Sequence, residues 1–241
     1  MKKILKNVPP SKKLLYWLIA VLVILGVAHL TLQYVNINVM NEEFGSFFEL
    51  TNRFDFDDEA SIPTWVSQFI FILISFSSLL LVYLEKQKAK KAIWAVVSAV
   101  ALLGSLDEVA TLHENILQSL HLLFFDESAP TALANAWVII IPFVVIAGGL
   151  FTYKAVALLP KRTLQLLISA LVIYMSGAVL VDIVTSSRDS SEATFASQGI
   201  LVAIEELLEL VGLTITLYAI VEYIERKFSK KIIRAKRELL K

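Results

Sequence analysis

The stretch that decides the fold runs from Thr64 to Leu84: T-W-V-S-Q-F-I-F-I-L-I-S-F-S-S-L-L-L-V-Y-L. It holds no charged residue, and at 1.5 Å per residue a helix of this length crosses about 30 Å of hydrocarbon. Apolar runs of the same kind occur on both sides of it. They predict six membrane helices, at 13–32, 64–84, 92–114, 134–154, 164–184 and 199–223. The chain is 57% hydrophobic with mean hydropathy +0.70, which is too apolar for a soluble domain of 241 residues. The expected fold is all-α, a polytopic bundle of six transmembrane helices over residues 1–223. An outer acidic loop covers 33–63, and a basic amphipathic tail covers 224–241. Near the start, Gly26-Val27-Ala28 loosely resembles a signal-cleavage site. The apolar run there is long, and it reads as a retained helix.

Charge sets the orientation. Of 22 Lys and Arg residues, twenty fall in the N-terminal segment, the loops after spans two and four, and the C-terminal tail. Only Arg53 and Arg188 lie on the other side. By the positive-inside rule both termini are cytoplasmic, and the expected location is the bacterial inner membrane. The tail reads either as a helix lying along the anionic leaflet or as an ordinary basic flank. The chain has no Cys, which excludes disulfides and thiolate metal sites. Nothing in it suggests a nucleic-acid partner. Membrane lipids are the expected surroundings. The run Ala147-Gly148-Gly149 would allow close helix approach, either within the bundle or between protomers of an oligomer.

Against this apolar background the acids stand out. S-L-D-E-V-A-T-L-H-E, residues 105–114, brings Asp107, Glu108, His113 and Glu114 into span three; E-E-L-L-E brings Glu205, Glu206 and Glu209 into span six; span five adds Asp182. Ionised carboxylates in hydrocarbon are costly unless paired, protonated or bound to a cation. With the predicted orientation all of them fall towards the outer face. Helical phase sets Asp107 and Glu114 within about 20° of each other, with Thr111 between, and His113 about 120° away. Glu205 and Glu209 share a face.

These eight residues are the candidate metal ligands. An oxygen-rich set with an imidazole suits Ca, Mn, Mg or Fe better than Zn. Glu114 and Glu209 are the candidate general bases for a metal-activated water. An outward pocket at lipid level fits a lipid or lipid-linked substrate. The expectation is therefore an outward-facing, metal-binding site of a metal-dependent enzyme. A cation or proton transporter is the alternative, and a non-enzymatic partner or sensor with a structural acidic cluster is the third reading. A conducting path would need polar groups in the inner half, where only Ser and Thr occur until Glu222. The acidic loop Asp55, Asp57, Asp58 and Glu59 reads either as a wrap of oxygen ligands around a hard cation or as a solvated loop anchored by Trp65.

Three motifs, F-D-F-D-D-E-x-x-x-P-T-W (54–65), S-L-D-E-x-x-x-x-H-E (105–114) and E-E-x-L-E-L-x-G (205–212), resemble those of uncharacterised bacterial multipass membrane proteins. The resemblance implies a shared six-helix body and no particular activity.

Overall fold

The computed structural model describes residues 9–39, 45–112, 156–181 and 199–239. Among them there are helices and no strands. They are α1 (Pro10–Asn38), α2 (Gly45–Phe54), α3 (Ile62–Leu84), α4 (Lys88–Ala110), α5 (Lys161–Met175), which continues into a π-helical segment at Ser176–Val181, and α6 (Val202–Leu239). Four helical stretches are long and apolar enough to cross a membrane: Pro10–Asn38, Ile62–Leu84, Lys88–Ala110 and Lys161–Val179. The span expected at 134–154 lies outside the described residues.

Local chemistry explains several of the boundaries. Ser61 caps α3 by accepting from the Thr64 amide at 3.3 Å, and Pro63 occupies the first turn, where no amide donor is required. Thr64 Oγ1 in turn donates to the Asp58 carbonyl at 2.9 Å. α4 stops at Ala110, four residues short of the expected end at 114. Thr111 adopts a left-handed conformation (φ 42, ψ 43), and its amide bonds back to the Asp107 carbonyl at 2.7 Å. The expected alignment of Asp107 with Glu114 rests on Glu114, which lies outside the described residues. The π-helical segment begins at Ser176, whose hydroxyl donates to the Val172 carbonyl at 2.7 Å. A side chain bonding into the ladder and the glycine after it are ordinary causes of such a departure from α-geometry.

The helices form antiparallel pairs. α3 and α4 close a hairpin whose register is read from Ser67 against Glu108, Phe71 against Gly104 and Ser75 against Ser98. α6 packs against α1, α3 and α5. Its tie to α1 runs from Ser11–Glu225, through Leu207 against Gly26, to His29–Gly199. Its tie to α5 runs from Arg162–Glu222 to Gly177 beside Glu205 and Glu209. These contacts bring the start of α1, the 85–87 turn, the start of α5 and the 222–227 turn of α6 to one end of the bundle. That end carries most of the described lysines and arginines, and we refer to it as the basic end. The opposite, acidic end holds Glu108, Glu205, Glu206, Glu209 and the 55–59 loop.

Burial is inverted relative to a soluble protein. Trp17 is 70% exposed, Phe76 66% and Leu103 63%, whereas Ser78 is 0% exposed and Ser98 4%. The buried face of α3 carries four hydroxyls, with Thr64, Ser67, Ser75 and Ser78 set among Ile70, Phe71, Ile74 and Leu81. Apolar residues turned outward along long helices mark a membrane protein. Aromatic side chains are exposed near both ends of two helices: Trp17 and Tyr34 on α1, Trp65 and Tyr83 on α3.

Candidate site at the acidic end

The acidic end is built from α4, α5, α6 and the loop before α3. Ser67 of α3 donates to the Glu108 carboxylate of α4 across the hairpin. Tyr174 of α5 hydrogen-bonds Glu209 of α6 and lies in the field of Glu108 and Glu206. Glu206 lies in the combined field of Glu209, Glu108, Glu205 and Asp57. Carboxylates from two helices therefore lie within electrostatic reach of one another beside a tyrosine.

Close packing makes this possible. A Cβ on Gly177 would stand 2.5 Å from the Glu205 carbonyl and 3.0 Å from Glu209 Cγ. One on Gly212 would stand 2.7 Å from Tyr174 Cβ and 2.8 Å from the Ala170 carbonyl. Glycine at both positions lets α5 and α6 approach backbone to backbone at the turn that carries the acids.

Of the expected ligands, Glu108, Glu205, Glu206 and Glu209 are brought together. Asp107 sits half-buried on α4, next to Glu108 in sequence. His113, Glu114 and Asp182 lie outside the described residues. Among the described residues, no group of three or more His, Asp or Glu side chains is placed to hold a metal ion.

The 55–59 loop adjoins this cluster and is tied down by a buried histidine. His29 of α1 is completely buried. Its Nδ1 accepts the Phe56 amide at 3.3 Å and lies 3.4 Å from Asp55 Oδ1. Its Nε2 lies 3.1 Å from the Gly199 carbonyl, which makes Nε2 the protonated nitrogen of the neutral ring. The Phe56 ring packs edge-on against it at 5.0 Å. One imidazole thus joins α1, the loop and the chain leading into α6. No local motif signals this, because its partners are 27 and 170 positions away.

Gln33 adds a bond to Asp55 Oδ2 at 2.6 Å. Burial pushes the Asp55 carboxyl above its ordinary value of 3.8, and this outweighs the lowering by the Asp57 amide and by His29. Asp58 caps the Ala60 amide at 2.8 Å. Asp55, Asp57, Asp58 and Glu59 line an open depression together with Asn52 and Ala60. Arg53 of α2 is the described arginine nearest in sequence to this loop, and it donates to the Ala60 carbonyl at 3.4 Å.

At the basic end α6 is held by charge. Glu85, almost fully buried after α3, accepts from Lys227 at 2.7 and 2.9 Å and from the Tyr223 hydroxyl. Burial alone would raise Glu85, but these hydrogen bonds and the Lys227 charge hold its carboxyl below the ordinary 4.5. Burial would lower Lys227, and Glu85 together with Tyr223 keeps it above 10.5. Arg162 Nε donates to both Glu222 carboxylate oxygens, at 3.0 and 3.1 Å.

No curated protein and no solved structure matches this chain. A family profile, described as a domain of unknown function (DUF8692), matches residues 15–222. That span takes in α1 to α5 and the bundle-forming part of α6, so the chain belongs to the DUF8692 family.

Proposed function

We propose that this protein is a cation-binding membrane protein whose acidic end faces outward and takes up protons or cations for transport. The observation that carries the reading is Glu206 of α6, set in the field of Glu209, Glu108 and Glu205. So many carboxylates in one apolar setting require compensating positive charge, either a bound proton or a metal ion. Hydroxyl donors reach Glu108 and Glu209, from Ser67 and Tyr174. This arrangement suits carboxyls that exchange protons. The gathering of basic residues at the other end supports both termini lying in the cytoplasm, with the bacterial inner membrane as the location.

A second reading is favoured by the density of oxygen ligands on α6, where Glu205, Glu206 and Glu209 fall within two turns. In that reading Asp107, His113, Glu114 and Asp182 complete a site for Ca, Mn, Mg or Fe. Glu114 or Glu209 then serves as general base in a metal-dependent reaction on a lipid-like substrate.

Elemental analysis of protein purified without chelator, beside an Asp107→Ala/Glu205→Ala double variant, separates the two. Stoichiometric metal lost in a folded double variant supports the metalloenzyme. Metal-free protein whose reconstituted vesicles take up protons or monovalent cations supports the carrier. Metal-free protein with no uptake in either form would sink both.

A further inference from the structure

The α3–α4 hairpin buries a row of hydroxyls that runs on from the acidic cluster. From the acidic end inward, Ser67 meets Glu108, and Ser75 Oγ lies 3.0 Å from Ser98 Oγ. Ser98 also donates to the Ser75 carbonyl at 3.0 Å. Continued by one turn, the same register sets Ser78 beside the turn that carries Trp94. Both of these residues are completely buried, and among the described residues Ser78 Oγ and Trp94 Nε1 have no hydrogen-bond partner. The Trp94 ring lies 5.3 Å from the Tyr223 ring, and the Tyr223 hydroxyl donates to Glu85. From Ser67 to Glu85 this row covers about 27 Å at 1.5 Å per residue, the thickness of the hydrocarbon.

Buried polar groups without protein partners are the usual lodging places of internal water. An unpaired hydroxyl and an unpaired indole N–H at one level are two independent signs of such water. Thr214 Oγ1 is also buried without a partner among the described residues. It sits about 180° round α6 from Tyr223 and does not belong to the row. Apolar side chains interrupt the row: Ile70, Phe71 and Ile74 are buried between Ser67 and Ser75, and Leu81 between Ser78 and Glu85. Phe71 lies between the Ser67–Glu108 and Ser75–Ser98 levels, with its ring against Gly104 and 6.4 Å from that of Tyr174.

We propose that the α3–α4 interface, closed by α6, is a water-filled proton file joining Glu108 to Glu85, with Phe71 as its gate. A proton leaves the Glu108 carboxyl for a water lone pair. Each Ser75, Ser98 and Ser78 hydroxyl accepts one proton while passing its own onward through intervening water, and the last is delivered to the Glu85 carboxylate. Trp94 donates only, so it anchors a water without relaying. The file rests on the acidic cluster being protonatable, as in the reading above, and needs no metal there.

The test uses the full chain in phosphatidylcholine/phosphatidylglycerol vesicles with a trapped pH dye, a potassium gradient and valinomycin. Phe71→Ala should raise proton entry at least fivefold over wild type. Adding Ser78→Ala or Ser75→Ala/Ser98→Ala to Phe71→Ala should return it to the wild-type rate, with folding checked by circular dichroism. Serines that serve only packing would lower the melting temperature and leave the flux unchanged. Flux in a folded Phe71→Ala protein no greater than in empty vesicles, or flux indifferent to the added serine changes, overturns the file. Cation binding by detergent-solubilised Glu206→Gln is measured in parallel. Its loss, with the Phe71→Ala flux and its serine dependence retained, supports the file and confines the acidic cluster's cation binding to Glu206. Its retention, with serine-independent flux, overturns the file while leaving the carrier reading standing.

Discussion

Gly177 lies in direct contact with the backbone of Glu205: a methyl group on it would stand 2.5 Å from the Glu205 carbonyl oxygen. The opposing atom is main chain and cannot swing aside. Gly177→Ala should therefore prise α5 from α6 and cost about 1–3 kcal/mol of stability. Gly212→Ala, which meets Tyr174 Cβ and the Ala170 carbonyl, should cost a similar amount. Thermal unfolding in detergent checks both. Gly104→Ala should cost less, because there the obstacle is the end of the Phe71 ring. An order of loss with Gly104→Ala the worst would contradict this account of the packing.

His29→Ala removes the acceptor of the Phe56 amide and the donor to the Gly199 carbonyl together. Two buried backbone groups are then left unpaired, at a combined cost of about 2–4 kcal/mol. Hydrogen exchange should show the Phe56 amide losing protection first. Unchanged protection at Phe56 would mean that the loop is held by something other than this ring.

The Glu85–Lys227 pair makes stability depend on pH in a defined direction. Glu85 is held below 4.5, so its contribution is present above that value and is lost as pH falls through the lowered folded value. Lys227 is held above 10.5, so its contribution is present below that value and is lost as pH rises through the raised one. Glu85→Gln should lower the melting temperature at neutral pH and weaken its dependence on pH at both ends. Melting curves from pH 3 to pH 11 are the measurement, and a variant that keeps the wild-type profile would assign the pH dependence elsewhere.

Thr111 pays for its left-handed backbone with a β-branched side chain. Thr111→Gly should be tolerated, or raise stability by up to about 1 kcal/mol. Thr111→Val, which keeps the branch and drops the hydroxyl, should lower it. If valine proves the better tolerated, the side chain matters more there than the turn.

Much of the helical frame was legible because it is written in local chemistry. Uninterrupted apolar runs mark α1, α3 and α4, and Ser61 and Pro63 announce the start of α3. α2 was not legible: its sequence, G-S-F-F-E-L-T-N-R-F, lies in a segment read as loop, and ten residues are too few for an apolar run to declare a helix. The end of α4 at Ala110 was not legible either, since Thr111 carries no glycine-like signal for a positive φ. At the candidate site, spacing alone groups Glu205, Glu206 and Glu209. The meeting of Glu108 with Ser67 depends on a pairing 41 residues apart and that of Glu209 with Tyr174 on one between separate helices, and no local pattern encodes these.

The aromatic side chains exposed at the two ends of α1 and α3 act as a ruler. Trp17 to Tyr34 and Trp65 to Tyr83 each span about 26 Å of helix at 1.5 Å per residue. Rings of this kind settle at headgroup level, so both helices call for the same slab of lipid, one slightly thinner than the average bilayer. A thicker membrane would draw these rings below the headgroups, and the bundle would answer by tilting or by thinning the lipid around it. The length between the tryptophans and tyrosines thus selects the membranes in which this chain sits without strain.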